Sequence, residues 1–135
     1  MSKSGWLDLL NSYGALFDFD FNRFELFDYI GWYSIIKCLL EEFKSQTNII
    51  KIHNMKEKWG ELQIYYSFST SNVESSCCKQ QELCDVIYEV ERNKCCNIVN
   101  FAHKLSQNTC VMCSKYGENK ERNGYFLPLC KECEK

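Results

Sequence analysis

Proline is almost missing from this chain, a single residue at position 128, and only six of the 135 residues are glycine. No Pro/Gly linker or low-complexity tract divides the chain, and with 45% apolar and 25% charged residues disorder across the chain is excluded. An excess of either charge is missing too. Sixteen Lys and Arg stand against 18 Asp and Glu, for a net charge of −2. That disfavours both a strongly basic nucleic-acid binder and an acidic mimic of DNA. Long apolar runs are absent. Tyr29–Ile36, 8 residues, is the longest mainly apolar, uncharged stretch in the helical region, far from the roughly 20 that span a bilayer. Asp8 and Asn11 fall where a signal peptide would carry its apolar segment. The expectation is a cytoplasmic protein with no membrane partner. The sequence also contains no GxSxG, P-loop or GxGxxG motif, so an enzyme is not expected.

What is present is a chain of one-domain size with 45% apolar and 15% aromatic residues, enough for a hydrophobic core. Phe17-Asp18-Phe19-Asp20-Phe21-Asn22 alternates with period 2 and predicts a half-buried strand. Trp32, Ile35, Ile36, Leu39, Leu40 and Phe43 repeat at helical spacing, predicting an amphipathic helix over 31–45. Two strands follow, Ile49–Met55 and one around Leu62, Ile64, Tyr66 and Phe68. They are joined through Lys56-Glu57-Lys58-Trp59-Gly60 as a hairpin. Ser71 and Glu74 fit a capping box, and helical spacing then runs to about residue 106. So long a helix is unusual, and Glu91-Arg92-Asn93-Lys94 is the expected break. The fold class is α+β: a small antiparallel sheet packed with helices over 1–106, plus a C-terminal ribbon over 107–135.

Ten cysteines are the oddest feature. In a cytoplasmic chain, thiols stay reduced and call for burial, catalysis or metal. Cys110-Val-Met-Cys113 and Cys130-Lys-Glu-Cys133 are CxxC pairs separated by 16 residues, within the spacing for tetrahedral zinc. Each CxxC turn points two sulfurs to one side and its backbone amides toward them. Four sulfurs leave no open coordination position, so one structural Zn²⁺ per chain is expected rather than a catalytic ion. A reduced buried pair or a thioredoxin-like redox pair is the competing reading, and the βαβ context for the latter is missing. Cys77, Cys84 and Cys95 share one helical face and read as small buried apolar groups; Cys38 reads the same way. A second metal at Cys77, Cys78, Cys95 and Cys96 would need the helix to fold back. His103 is surplus as a ligand, and His53 has no neighbouring nucleophile motif.

Lys56, Lys58 and Trp59 at the hairpin tip form a candidate partner contact, a charge-plus-stacking surface. The competing reading is a solvated turn with Trp59 tucked into the core. Asp18, Asp20, Glu25 and Asp28 read as a solvated strand face rather than a carboxylate site.

Three segments together resemble a family of small, uncharacterised proteins encoded by tailed phages, prophages and bacteria. Ile30-Gly31-Trp32-Tyr33-Ser34-Ile35-Ile36 is similar to the family's Gly-Trp helix opening. Met55-Lys56-Glu57-Lys58-Trp59-Gly60-Glu61-Leu62-Gln63-Ile64-Tyr65-Tyr66 is similar to its VKEKxGxLRFY-like hairpin. Thr109-Cys110-x-x-Cys113 and Leu129-Cys130-x-x-Cys133 are similar to its ribbon. The chain departs at Gln63 for Arg, at Ser114 for the Gly after the second Cys, and in its extra cysteines between 70 and 96. The resemblance implies a phage-associated binding protein acting in the bacterial host cytoplasm, with no catalytic residue carried over. The expected function is a non-enzymatic, zinc-binding interaction protein, a phage-encoded inhibitor or modulator of a host or anti-phage defence complex. The alternative is a nucleic-acid-binding zinc-ribbon module. A protein is the first expected partner, nucleic acid the second.

Overall fold

The computed structural model describes residues 3–46, 49–68 and 81–134. The Ser71–Glu74 capping box, Cys77, Cys78 and the Cys84 side chain lie outside them. Among the described residues, three α-helices and two antiparallel hairpins make an α+β fold: α1 (Lys3–Ser12), α2 (Tyr33–Gln46), β1 (Ile50–Lys58), β2 (Glu61–Phe68), α3 (Gln81–Ser106), β3 (Glu118–Arg122) and β4 (Tyr125–Leu129).

The core follows the apolar spacing. On α2, Ile35, Ile36, Leu39, Leu40 and Phe43 are all buried, and Trp32 in the preceding turn is fully so. The observed helix starts two residues after the expected one because Ile30–Trp32 winds as a 3₁₀ turn. Helix α1 has no counterpart among the expected elements, although Trp6, Leu9 and Leu10 carry i, i+3, i+4 spacing and are buried. Trp6 packs against Phe24 and Tyr33, each at a ring-centroid distance of 5.2 Å. On β1, Ile50 and Ile52 face the core, and then the register shifts between Ile52 and Asn54. This bulge inserts His53 and returns Met55, rather than Asn54, to the buried face.

Two expectations are corrected. Phe17–Asn22 is not a strand. Phe17 makes one parallel bridge to Ile52, and the chain then turns into a 3₁₀ helix at Phe21–Arg23. The Asp20 carboxylate accepts the Asn22 amide at 3.0 Å, a local bond that competes with a sheet ladder. Phe17, Phe19 and Phe21 pack edge-to-face on one another at 5.3–5.6 Å instead of along a sheet. Asp18, Asp20, Glu25 and Asp28 therefore lie in turns and irregular connections, not on a strand face. The second correction is that α3 runs unbroken through Glu91–Lys94. Glu91 pairs with Lys94 at 3.5 Å and Glu89 with Arg92 at 3.9 Å, one turn apart. Arg92 also lies over the Phe68 and Tyr88 rings, so this polar stretch is the helix's outer side rather than its end.

Helix α3 is fastened to β2 through Ser106. The Leu62 amide donates to Ser106 Oγ at 2.9 Å, and that hydroxyl donates to the His103 carbonyl at 2.6 Å. Beyond it, the 107–134 segment is seated on the rest of the chain. The Trp32 indole N–H donates to the Thr109 carbonyl at 3.0 Å, and the Gly31 amide to the Val111 carbonyl at 2.7 Å. Gly31 is required there, since a Cβ would overlap the Cys110 carbonyl. Val111 is itself buried within the core cluster.

Candidate functional site

Two local features converge at the C-terminal end: a four-cysteine cluster and the hairpin tips that it supports. The first CxxC turn is shaped by backbone bonds. The Ser114 amide donates to the Cys110 carbonyl at 3.1 Å, and the Cys110 amide to the Lys115 carbonyl at 2.7 Å. To leave the turn the chain passes through positive φ at Ser114, +71°, a conformation that costs a non-glycine residue about 1–2 kcal/mol. Here Ser114 Oγ donates to the Gly31 carbonyl at 2.7 Å, which offsets part of that cost. The second turn closes by the Glu134 amide donating to the Cys130 carbonyl at 3.0 Å. Thr109 bridges Tyr116, and the Val111 amide donates to the Pro128 carbonyl, which lays one turn against the other.

The Sγ atoms of Cys110, Cys113, Cys130 and Cys133 all lie within 4.8 Å of one another, and the Cys113–Cys130 pair is 3.5 Å apart. A tetrahedral ion with M–S bonds of about 2.3 Å spaces its sulfurs by roughly 3.8 Å, so this cluster fits one metal ion. Cys110 and Cys130 are buried, Cys133 is half-buried and Cys113 is exposed. Burial opposes the Cys110 thiolate, but the backbone amides around it outweigh that and lower the thiol to about 7. Backbone donation, with Cys133 foremost, also lowers Cys130. Hydrogen bonding to Cys130 and Cys113 pushes Cys133 up to about 12. Four sulfurs crowded together share protons until a cation takes all four as thiolates. Among the described residues no other group of His, Cys, Asp and Glu could hold a metal.

His103 is held elsewhere. Its Nδ1 donates to the Leu62 carbonyl at 3.0 Å and its Nε2 faces Glu61 at 3.3 Å. Cys95 is buried, as its helical spacing implies, and Cys96 Sγ meets the Tyr66 hydroxyl at 3.7 Å. Cys38 is exposed rather than packed, because it falls on the edge of the α2 apolar face. The β1 bulge does give His53 neighbours that the sequence does not place beside it. Nε2 lies 2.6 Å from Ser67 Oγ, and Nδ1 lies 3.6 Å from Asp18. The carboxylate is beyond hydrogen-bond reach and largely exposed, and this trio works as a cross-strand bond on an open face.

At the hairpin tip, Trp59 and Gly60 take φ of +58° and +77°, a two-residue turn of the primed type that suits the strand twist. Lys58 pairs with Glu61, so β1 reaches three residues beyond Met55 and the connection shrinks to Trp59-Gly60. Trp59 is 67% exposed. It is not tucked into the core, because the positive φ turns it outward at the tip. Lys58 is exposed as well, and Lys56 is half-buried, its ammonium 6.0 Å from the Tyr65 ring centroid. Sequence reasoning missed the tip's other half. Phe126 of β4 meets the Trp59 ring edge-on at 6.0 Å. Asn119 Nδ2 donates to the Trp59 carbonyl at 3.0 Å. Tyr29, Tyr125 and Leu127 complete a notch of about 380 Å³ between the two hairpin tips. The only sequence signal for it is Asn123-Gly124, a hairpin turn that puts Tyr125 and Phe126 at a tip.

No helix among the described residues is long and apolar enough to cross a membrane. No family model, no curated protein and no solved structure matches the chain.

Proposed function

We propose that the chain is a non-enzymatic interaction protein in which Cys110, Cys113, Cys130 and Cys133 hold one structural zinc ion and the tip residues Lys56, Lys58 and Trp59 meet a protein partner. The observation that carries this reading is the exposed Trp59, held by a strained turn and by Asn119 and Phe126 of the ribbon. An indole held rigidly in solvent makes a good interface anchor, since little side-chain entropy is lost when it is covered. Zinc is the ion of choice because four closed thiolates match its tetrahedral preference. The reading that the partner belongs to a host or defence complex rests on the resemblance of residues 30–133 to a phage-associated family, and it places the protein in the bacterial cytoplasm.

Elemental analysis should find one zinc per chain, lost in Cys110→Ser; none, or a different metal after growth in zinc-sufficient medium, would remove the zinc reading. A tagged chain should retain a protein from a bacterial lysate, and Trp59→Ala with Lys58→Ala should release it. Retention unchanged by both substitutions would move the contact elsewhere. A tight complex with nucleic acid at about 150 mM salt, weakened by Lys58→Ala, would favour the nucleic-acid module instead.

A further inference from the structure

Helix α3 buries Cys95, Ala102 and Ser106 in the molecule and leaves a second apolar face in solvent. Val86, Val90, Lys94, Asn97, Phe101 and Leu105 follow one another at steps of three or four, which stacks them as one stripe along the helix. All six are exposed, Val86 and Phe101 by 60% and 66%. The stripe spans about 28 Å at 1.5 Å per residue. Beside its C-terminal half lies an apolar groove of about 350 Å³, lined by Ile35, Cys38 and Leu39 of α2 and by Ile98, Phe101 and Leu105 of α3.

Two features of the stripe point to what covers it. The first is symmetry. A two-fold axis passing between Cys95 and Cys96 sets Val86 against Leu105 of an antiparallel second copy, Val90 against Phe101, and Lys94 against Asn97. Apolar meets apolar and polar meets polar at every step. A slip of one helical turn sets Lys94 against Phe101 or Val90 against Asn97, so the central polar pair fixes the register. The second feature is charge. The acidic residues of α3 are Glu82, Asp85, Glu89 and Glu91, and its Lys and Arg residues, Arg92, Lys94 and Lys104, all follow them. Antiparallel copies therefore set the acidic part against the basic part, whereas parallel copies set like against like. We propose that α3 is the seam of a two-fold homodimer, with Val86 and Val90 of each copy entering the groove of the other. The exposed Lys104 of one copy falls about 3 Å along the axis from Glu89 of the second copy and pairs with it. The two Lys94 ammonium groups approach each other near the axis, each neutralised by Glu91 of its own helix at 3.5 Å. Such a contact is isologous: it fills both grooves at once and leaves no open end. It uses none of the hairpin-tip residues and goes beyond the partner contact proposed for them.

The experiment uses the full metal-loaded chain in reductant and reads its mass by sedimentation equilibrium. The seam is short and belongs at the low end of interface sizes, so the chain should dimerise with a dissociation constant of about 1–100 μM. Phe101→Glu should weaken the dimer by about a hundredfold or more, with helix content by circular dichroism unchanged because the side chain stands in solvent. Lys104→Glu and Glu89→Lys should each weaken self-association about tenfold, since each sets two like-charged pairs across the seam. An equimolar mixture of these two variants should dimerise again, because it forms one native and one reversed pair. A chain that stays monomeric at about 1 mM, leaving the stripe to a helix of another protein, would overturn the proposal. So would a dimer that Phe101→Glu leaves intact, or charge variants whose mixture associates no more tightly than either alone.

Discussion

The two hairpins have the same turn and opposite means of support. Trp59-Gly60 and Asn123-Gly124 both place two consecutive residues at positive φ, +58° and +77° against +54° and +87°. The β1–β2 hairpin buries Ile50, Ile52, Met55 and Leu62 in the core cluster, with β2 lying against α3. The β3–β4 hairpin buries only Pro128, and its strands are otherwise exposed or half-buried. One hairpin is held by apolar area, the other by four sulfurs and a few bonds to Gly31 and Trp32. Local turn chemistry therefore chooses the hairpin shape in both, while its stability comes from unrelated sources.

The largest test of this contrast is removal of the cluster. Cys130→Ser should release the metal, whose binding contributes on the order of 10–16 kcal/mol of apparent free energy at neutral pH, and melt β3–β4. The α2 and β1–β2 core should still unfold cooperatively, at a lower temperature because the contacts of Val111 and Thr109 go with the ribbon. Circular dichroism alongside the resonance of Trp6, which packs on Phe24 and Tyr33 away from the ribbon, distinguishes this from global unfolding. Acid should act on the same hairpin. The ligands bind as thiolates, so protons compete as the pH falls, and metal should be lost on acidification and regained on neutralisation; a metal-sensitive dye reads the release.

Next in size, Ile52→Ala should cost about 2–5 kcal/mol through the cavity left in the core, measured by urea unfolding, with metal content unchanged. A loss of metal in that variant would mean that the two supports are not separate. Gly31→Ala should affect both hairpins together, since the new methyl group meets the Cys110 carbonyl. The smallest effect is expected at the turns. Trp59→Asn puts the residue type that tolerates positive φ into the first turn and should stabilise the chain by about 1 kcal/mol, while removing the notch's main aromatic wall. A destabilised Trp59→Asn variant would mean that the Phe126 contact outweighs the backbone strain.

Helical spacing and paired cysteines were legible because each is a local code. Trp32 to Phe43 could bury one face only as a helix, and two CxxC turns 16 residues apart have few uses besides a tetrahedral ion. The Phe17–Asn22 alternation misled because period 2 describes a strand only if a partner strand is in reach. Here Asp20 capped a turn first, and the three rings found one another. The polar Glu91–Lys94 run misled for the opposite reason, as charges one helical turn apart support a helix that composition alone would end.

The sequence by itself determined the α+β class, the α2 face, the first hairpin and the clustering of four cysteines, because these depend on residues near one another in the chain or on side-chain chemistry with a single geometry. Only the tertiary structure decided that Trp59 stands in solvent, that Tyr125 and Phe126 stand beside it, and that Gly31 must lack a side chain. Those facts depend on how the ribbon sits on the core. That seating is set by Val111, Trp32 and Asn119 across separations of about 60 to 80 residues, where no local pattern carries information.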